Sequence, residues 1–314
     1  MRVVFIGTCG HVDETYNTLK KFDHIEFCGI APSSEMENVY NFATDKMKVY
    51  SNYQHMIDEI KPNLAVVSPI FGLTADITIY CAELGIDVIS EKPVASNLHE
   101  LEKLRKTIEK TKIRFCAMHY LRYAPAFYHA KQLIDHGEIG KIKMITAQKS
   151  YKFGTRPNWY NNRSLYVGTI PWVGIHAIDW IYYFTNKKYL SVNALHYGNP
   201  EKYALCQYEI EDDIIASVNL DYYRPKTAPT HDDDRIRIAG TDGVIEIISG
   251  EITLINKNGV FKQTPSEAPN LIEEFLENKC SLSADEIFML TRIAILSRES
   301  ADTGAKIIIN ENNI

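Results

Sequence analysis

The sequence predicts an α/β protein in which a doubly wound parallel sheet is followed by a second α/β domain with an open, mostly antiparallel sheet. Short β-branched runs alternate with helical spacing through the first 120 residues, and these runs are apolar on both faces. After residue 120 the strand-like runs follow one another with only short turns between them. Apolar strands separated by helices are typical of a parallel sheet covered on both sides, whereas consecutive strands indicate an antiparallel or mixed sheet.

The elements of the first part follow in a regular order. Strands are predicted at 2–6, 25–30, 64–68, 86–90 and 113–118, and helices at 12–22, 53–60, 75–84 and 98–110. Right-handed crossovers make such an arrangement doubly wound. Ligands of these sheets bind at the carboxyl ends of the strands, which here carry Gly7, Ala31, Ser68 and Glu91.

The second part begins with a predicted helix at 124–136, and from Lys141 onward the residues alternate as in a strand. A helix is predicted at about 165–184, and further strands at 190–197, 203–210, 213–222, 234–239, 243–248 and 251–256. A helix near 284–300 and a short strand at 305–309 follow. The predicted domains are therefore 1–119 and 120–314, and we expect the helix near 284–300 to be able to pack back on the first domain.

The composition argues against several classes of partner. The chain has 314 residues, with 34 Lys and Arg against 40 Asp and Glu, which gives a formal net charge of −6. An acidic chain without a basic run is not expected to bind nucleic acid. No apolar stretch approaches the roughly 20 residues that span a bilayer, and the first apolar run is too short for a signal peptide. The six scattered cysteines predict reduced thiols, a cytoplasmic location and no metal site.

The turn after the first strand reads Gly7-Thr8-Cys9-Gly10-His11-Val12, and it approaches the dinucleotide fingerprint G-x-G-x-x-G/A. Gly7 is suited to the tight turn, and Gly10 allows the backbone to approach a phosphate. The following helix N-terminus supplies N–H donors. The same residues also fit a plain strand–turn–helix junction, so this motif alone leaves both interpretations open.

The second strand ends in Ala31-Pro32-Ser33-Ser34, without the acidic residue that usually binds the ribose hydroxyls of NAD. The hydroxyls of Ser33 and Ser34 are able to bond a 2′-phosphate instead, which favours NADP over NAD. The alternative is an ordinary turn, since proline and serine are common turn residues.

Two further segments carry candidate chemistry. Glu91-Lys92-Pro93 directly follows the strand at 86–90, so Lys92 is predicted to face the ligand crevice; an exposed surface lysine is the alternative. The segment from Gly168 to Trp180 contains His176 and Asp179, which share one face of a helix. A buried core histidine is the alternative for His176.

These segments and others in the same order resemble the Gfo/Idh/MocA family of oxidoreductases, which includes glucose–fructose oxidoreductase and inositol dehydrogenase. The resemblance covers nearly the whole chain. It is carried by Ser68-Pro69, by residues 85–93 with the E-K-P signature, by Arg122-Tyr123-Ala124-Pro125, and by residues 137–142, 240–243 and 300–304.

The resemblance implies a Rossmann domain, an α/β domain with an open mixed sheet, and bound NAD or NADP. It further implies a sugar, cyclic polyol or derivative as substrate, and a homodimer or homotetramer formed through the open sheets. Lys92 then contacts substrate and cofactor, and His176 acts as the acid/base. The implied cofactor-binding residues are Gly7, Thr8, Cys9, Gly10, His11, Ser33, Ser34, Ser68, Pro69, Glu91, Lys92 and Pro93.

The chemistry of alcohol oxidation explains those residue types. A hydride passes to the nicotinamide and the hydroxyl loses its proton. Histidine, with an ordinary pKa of about 6.5, is able to take that proton near neutral pH, and a lysine cation stabilises the developing alkoxide. Lys92 from the first domain is therefore predicted to lie opposite His176 from the second domain.

Further substrate contacts are predicted around this pair. His119 and Arg122 begin the second domain, and an aromatic segment contains Tyr151, Arg156, Trp159 and Tyr160; Trp172 and Asp179 complete the candidates. The alternative for His119 and Arg122 is packing at the domain junction. The run His231-Asp232-Asp233-Asp234 lacks the spacing of a calcium loop and is interpreted as a solvated loop.

The chain also departs from the family pattern. Trp172 stands at the aspartate of the D-x-G-x-H pattern, where its ring is able to stack on an apolar or sugar face. Other departures are Cys9 and Val12 in the phosphate loop, Ala31 at the ribose acid, and Leu73 and Thr74 where a histidine is common. They suggest two alternatives: a non-catalytic or regulatory relative that binds a nucleotide or sugar without redox turnover, and a scaffold that assembles through its open sheet.

Overall fold

The computed structural model describes residues 1–310, which form two sheets with helices packed against them. The first sheet contains β1 (Arg2–Ile6), β2 (Glu26–Ala31), β3 (Lys48–Val49), β4 (Leu64–Val67), β5 (Asp87–Ser90) and β6 (Phe115–Ala117). The helices between these strands are α1 (Val12–Leu19), α2 (Tyr53–Ile60), α3 (Thr74–Glu83) and α4 (Leu98–Thr111).

The first sheet has the strand order β3-β2-β1-β4-β5-β6, and all its strands are parallel. Residues 3–6 of β1 and 64–67 of β4 are fully buried, because helices cover both faces of the sheet. The prediction of a doubly wound parallel sheet is confirmed. The strand order reverses between β1 and β4, and this is the point where such sheets form their ligand crevice.

The second sheet contains nine strands. Its strands are β7 (Ile142–Tyr151), β8 (Tyr189–Gly198), β9 (Glu201–Ile210), β10 (Ile214–Asp221), β11 (Asp232–Gly240), β12 (Gly243–Ile248), β13 (Glu251–Asn256), β14 (Gly259–Gln263) and β15 (Ile307–Ile308). The helices of this part are α5 (Pro125–Asp135), α6 (Arg163–Tyr166), α7 (Ile175–Thr185), α8 (Leu271–Leu276) and α9 (Ala284–Thr303).

The strand order of the second sheet is β14-β13-β12-β11-β7-β10-β9-β8-β15. The β7–β10 pair is parallel and the other pairs are antiparallel, so the predicted open, mostly antiparallel sheet is confirmed. Helices α7 and α9 cover one face. The other face is exposed. In β9, for example, Tyr203 and Leu205 are exposed on that face, whereas the alternating Ala204 and Cys206 point to the covered face and are buried.

Two predictions about the second part are wrong. The helix predicted at 165–184 is interrupted, because Val167 and Gly168 adopt positive φ angles of 65° and 93°. The chain then makes one wide turn over Ile170–Gly174 before α7 begins. The acidic run after His231 is not a solvated loop, because its three aspartates begin β11 and pair with β7. In addition, β14 and α8 were not predicted.

The long helix α9 joins the two parts of the fold. Its Phe288 ring stacks on Phe115 of β6, with ring centroids 5.7 Å apart and an interplanar angle of 10°. This contact agrees with the expected return of the helix to the first domain, while the division at residues 119 and 120 stays a prediction. Within residues 1–310, no helix is long and apolar enough to cross a membrane.

Candidate active site

A cavity of about 550 Å³ lies where the carboxyl edge of the first sheet meets the second domain. Its volume is in the range of small-molecule sites. The first domain contributes Thr8, Cys9, Gly10, His11, Met36, Glu37, Asn38, Phe71 and Lys92. The second domain contributes Tyr151, Arg156, Pro157, Trp159, Tyr160, Trp172, Val173, His176, Tyr222 and His231.

The turn after β1 has a backbone shape that requires its glycines. Gly7 and Gly10 have φ angles of +78° and +73°. A Cβ atom on Gly7 would lie 2.4 Å from the carbonyl oxygen of Ser68, and one on Gly10 would lie 2.0 Å from Oε2 of Glu91. The Cys9 N–H donates to the Ser68 carbonyl at 2.8 Å. The turn is therefore held closely against the ends of β4 and β5.

Glu91 ties this turn to Lys92. Its buried carboxylate accepts hydrogen bonds from the His11 N–H at 2.6 Å and the Lys92 N–H at 2.9 Å, and it lies 2.9 Å from His11 Nδ1. Burial acts to raise the pKa of Glu91, but the charges of His11 and Lys92 and the hydrogen bonds from His11 outweigh it. The pKa is lowered, and Glu91 is ionised.

Lys92 is only 1% exposed and reaches across to the second domain. Its Nζ donates to the Trp172 carbonyl at 2.5 Å and lies 3.5 Å from the centre of the Trp172 ring. That ring in turn stacks on Phe71, with centroids 3.6 Å apart. Burial lowers the pKa of Lys92 to about 7, although the charge of Glu91 opposes the change. Lys92 therefore exchanges a proton near neutral pH.

His176 lies on α7 and is buried within the same cavity wall. Its Nδ1 has no hydrogen-bond partner among residues 1–310. Burial lowers the pKa of His176 well below 6.5, and the positive charges of Lys92 and Lys149 add to that effect. The imidazole is therefore neutral at physiological pH, and Trp172 supplies no carboxylate to offset the neighbouring cations.

Lys149 is a buried cation that the sequence analysis missed. Its Nζ lies 2.7 Å from Oδ2 of Asp234 and 4.3 Å from the centre of the Trp180 ring. The two residues face each other in the β7–β11 register. The sequence could have indicated this burial, because Lys149 lies on the same face of β7 as the buried Ile145 and Ala147. A lysine on the apolar face of a strand requires a buried partner.

Three predicted substrate residues lie outside the cavity lining and contact each other. Arg122 Nε is 3.0 Å from Oδ1 of Asp179, and His119 Nδ1 is 3.3 Å from Oδ2 of the same carboxylate. Arg122 also contacts Glu286, at 3.4 Å. The charge of Arg122 and the hydrogen bond from His119 hold the pKa of Asp179 low, against the effect of its burial. This geometry fits the alternative, in which His119 and Arg122 pack the domain junction.

The other predicted substrate residues, Tyr151, Trp159 and Trp172, all line the cavity. Among the predicted cofactor residues, Thr8, Cys9, Gly10, His11 and Lys92 do so, whereas Gly7, Ser33, Ser34, Ser68, Pro69, Glu91 and Pro93 do not. Tyr222 and His231 also line it and were not predicted. Tyr222 follows the end of β10, and His231 directly precedes β11, so the sheet brings both to one end.

Glu37 is an acidic residue of the cavity that the sequence analysis overlooked. Its carboxylate accepts the Thr8 N–H at 2.6 Å and both the N–H and the hydroxyl of Ser33, at 2.9 and 2.6 Å. A ribose-binding acid was expected only among the residues directly after β2, at Ala31-Pro32-Ser33-Ser34. The loop that follows β2 folds back, and this brings Glu37 to the end of β1.

Comparison with known proteins identifies the family. Residues 1–119 match the model of an oxidoreductase family with an NAD-binding Rossmann fold, and residues 127–246 match the GFO/IDH/MocA C-terminal domain. The chain belongs to this family. It is therefore an oxidoreductase, and the resemblance found from the motifs is confirmed.

Individual relatives agree with the family match. Trans-1,2-dihydrobenzene-1,2-diol dehydrogenase of Xenopus tropicalis is 24% identical over 74% of this chain and 70% of its own length. Inositol 2-dehydrogenase of Salmonella typhimurium is 23% identical over 60% of this chain and 55% of its own length. A putative oxidoreductase from Thermotoga maritima has a similar structure, with a TM-score of 0.95 and 38% identity over 98% of this chain and 100% of its own.

The turn after β1 fits the dinucleotide of this Rossmann family. The Thr8 N–H is already bonded to the Glu37 carboxylate, so the approach of a phosphate is confined to Gly10. Gly10 lines the cavity without a side chain, so a phosphate is able to approach the backbone. Among residues 1–310, no three His, Cys, Asp or Glu side chains are grouped so as to hold a metal ion.

The burial of Lys92 leads to a prediction about stability. The pKa of Lys92 is about 7 in the folded chain, against an ordinary value of 10.5, so burial of the charged form costs stability. Lys92→Met should raise the free energy of unfolding by about 1–3 kcal/mol at pH 7. The gain should be full below pH 7 and should shrink as the pH rises towards 10.5, because the folded lysine is then neutral.

Urea unfolding at several pH values measures this effect. The exposed Lys103→Met is the matched control, and it should change the free energy of unfolding by less than about 0.5 kcal/mol. A loss of stability in Lys92→Met at every pH would contradict the prediction.

Proposed function

We propose that the protein is an NAD(P)-dependent dehydrogenase that transfers a hydride between a nicotinamide cofactor and a carbon bearing a hydroxyl group, in a sugar, cyclic polyol or derivative. One observation carries this proposal: the glycine turn, Lys92 and His176 line the same cavity. The names of relatives, inositol 2-dehydrogenase and trans-1,2-dihydrobenzene-1,2-diol dehydrogenase, support a hydroxyl-bearing substrate.

The nicotinamide supplies the hydride acceptor for oxidation and the hydride donor for reduction. The residues that would hold the dinucleotide are Gly10, where the backbone lines the cavity without a side chain, and Glu37. The tie between Glu91 and His11 keeps this turn in place beside Lys92. Lys92 and His176 are both buried in the cavity wall, and burial strengthens charge interactions there.

We assign the proton transfer to Lys92 and a positioning role to His176, which exchanges the roles expected from the sequence. With a pKa of about 7, the neutral Lys92 amine is able to take the hydroxyl proton, and the protonated form is able to return it during reduction. His176 stays neutral because of burial and the nearby cations, so its ring offers a hydrogen bond that orients the hydroxyl.

The pH dependence of turnover tests this assignment. For alcohol oxidation, kcat/KM should rise with pH through about 7, because only the neutral Lys92 accepts a proton, and the reverse reaction should fall over the same interval. His176→Gln should lower kcat about 100-fold, but its kcat/KM should still rise with pH through about 7. Lys92→Gln should lose the titration together with most of the activity. A titration that survives in Lys92→Gln and disappears in His176→Gln would make His176 the base.

We also propose that the cofactor is NAD(H) rather than NADP(H). The Glu37 carboxylate accepts from Thr8 and from Ser33, beside the end of β2, where the adenosine ribose of a bound dinucleotide would lie. A carboxylate accepts the hydrogens of ribose hydroxyls but repels a 2′-phosphate. The expectation of NADP rested on the hydroxyls of Ser33 and Ser34, and that of Ser33 is already bonded to Glu37.

Glu37→Gln tests the cofactor preference by removing the negative charge while keeping one of the two acceptor oxygens. The substitution should raise the ratio of NADPH affinity to NADH affinity about 10-fold or more, because it removes a negative charge beside the 2′ position. Fluorescence titration of both reduced cofactors measures the ratio. The exposed Glu35→Gln, in the same loop, is the control and should leave the ratio unchanged. Tighter NADPH binding by the unmodified protein would contradict the proposal.

We propose further that two copies of the chain associate through the outer face of the second sheet, in a homodimer or in the dimers of a homotetramer. Exposed apolar side chains cluster there on neighbouring strands: Leu195, Tyr197, Tyr203, Leu205 and Tyr223. The Tyr197 and Tyr203 rings lie 5.5 Å apart, and the Tyr203 and Tyr223 rings lie 5.6 Å apart. A contiguous apolar patch of this kind is typical of a protein–protein interface.

Leu205→Glu tests this interface. The side chain points away from the core, so a carboxylate there should leave the fold intact while its burial between two copies becomes unfavourable. Light scattering after gel filtration should show a lower mass than that of the unmodified protein. Leu84→Glu, which is exposed on the first domain, should keep the original mass. A monomeric unmodified protein, or an unchanged mass in Leu205→Glu, would contradict the proposed interface.

A further inference from the structure

Arg156 is a cation of the cavity wall that the proposed mechanism does not use. It follows β7 and lines the cavity together with Lys92 and His176. Aromatic rings surround its guanidinium group: the Cζ atom lies 5.1 Å from the centre of the Tyr160 ring and 5.5 Å from that of Tyr222. The Phe153 ring lies 5.7 Å away. These rings stabilise the cation through their faces, but they accept no hydrogen bond from its N–H groups.

Arg156 has no carboxylate partner among residues 1–310. Other arginines nearby are paired: Arg163 contacts Glu201 at 3.0 Å, and Arg224 contacts Asp233 at 3.4 Å. The Nε atom of Arg156 is buried and has no hydrogen-bond partner. A buried donor of a charged group that stays unpaired is costly. The planar guanidinium is also shaped to bind a carboxylate through two parallel hydrogen bonds.

On the second-domain side, the hydroxyl and imidazole groups of the cavity wall both donate and accept, and no side chain there is anionic. The second domain contributes tyrosine, tryptophan, histidine and arginine side chains, but no aspartate, glutamate, asparagine or glutamine. The acid and the amide of the lining, Glu37 and Asn38, come from the loop after β2 on the first domain. Trp172 occupies the position at which the family pattern has an aspartate. A neutral polyol needs acceptors for its many hydroxyl hydrogens, whereas an anion brings acceptors of its own.

We infer that the substrate carries a carboxylate in addition to the reacting hydroxyl, and that Arg156 binds this carboxylate while Lys92 and His176 face the hydroxyl. The substrate class is then a polyhydroxy acid, such as a sugar acid, rather than a neutral sugar or polyol. The inference rests on the proposed dehydrogenase function and specifies its substrate. The positive charge of an arginine among aromatic rings makes the carboxylate the strongest single contact of the substrate.

Matched pairs of an acid and a neutral compound test this inference. The pairs are D-glucuronate with D-glucose, D-galacturonate with D-galactose, and D-gluconate with D-glucitol, each assayed with NAD. The acid should be the better substrate in kcat/KM by about 10-fold or more in the pairs that are turned over. Arg156→Gln should lower kcat/KM for the acid about 100-fold, mainly through KM, and change it for the neutral partner less than about 3-fold.

Two variants complete the design. Arg156→Lys keeps the charge but loses the planar fork, so it should retain part of the preference for the acid. Arg235→Gln removes an exposed arginine of β11 outside the cavity, and it should leave both kinetic constants unchanged. NADH affinity is measured for every variant by fluorescence titration. A large loss of NADH affinity in Arg156→Gln would overturn the inference, because Arg156 would then bind a cofactor phosphate.

The remaining outcomes separate this inference from the proposed function. If neutral compounds are oxidised as well as the acids, or if Arg156→Gln affects both equally, the inference is wrong and the dehydrogenase function stands. If the unmodified protein oxidises none of the six compounds, the proposed function is contradicted for this panel. Calorimetric titration of the three acids into the NADH complex then decides the inference: binding that disappears in Arg156→Gln supports it, and the absence of binding overturns it.

Discussion

The burial of the Lys92 ammonium group between two domains is the constraint on which the rest of the site depends. The charge of the ionised Glu91 favours the protonated form of this group, and the carbonyl and ring of Trp172 contact it. Because Glu91 also accepts the His11 N–H, the same contacts tie the glycine turn to the second domain. The buried Lys92 is therefore both the proposed proton-transfer group and a contact between the two domains, next to the glycine turn.

The cavity separates charges in a particular way. Lys92, Arg156 and the neutral His176 face the cavity, while the carboxylates of Asp179 and Asp234 are held outside it by Arg122 and Lys149. With the acids withdrawn and Trp172 in the place of an aspartate, nothing in the second-domain part of the lining offsets the positive charge. Burial lowers the pKa of His176, and the neighbouring cations lower it further. The same unopposed positive charge favours a substrate that carries a negative charge.

Most of the fold could be predicted from the sequence, because period and composition determine local structure. The predicted strand at 2–6 matches β1, and those at 243–248 and 251–256 match β12 and β13. The helix at 165–184 was wrong because its apolar pattern continues across Gly168, where a positive φ ends the first helical segment. Glu37 and Lys149 were missed for another reason. Their partners, Thr8 and Asp234, lie 29 and 85 residues away in the chain.

By itself the sequence determined the two-domain architecture and the glycine turn, because local patterns encode both, and its resemblance to the family indicated Lys92 and His176 as the candidate reacting pair. Only the tertiary structure decided the protonation of that pair, the withdrawal of Asp179 from the cavity, and the position of Arg156 without an acid. The physical reason is that a pKa and a pairing depend on what surrounds a side chain. In this protein those surroundings come from strands and loops that are distant in sequence.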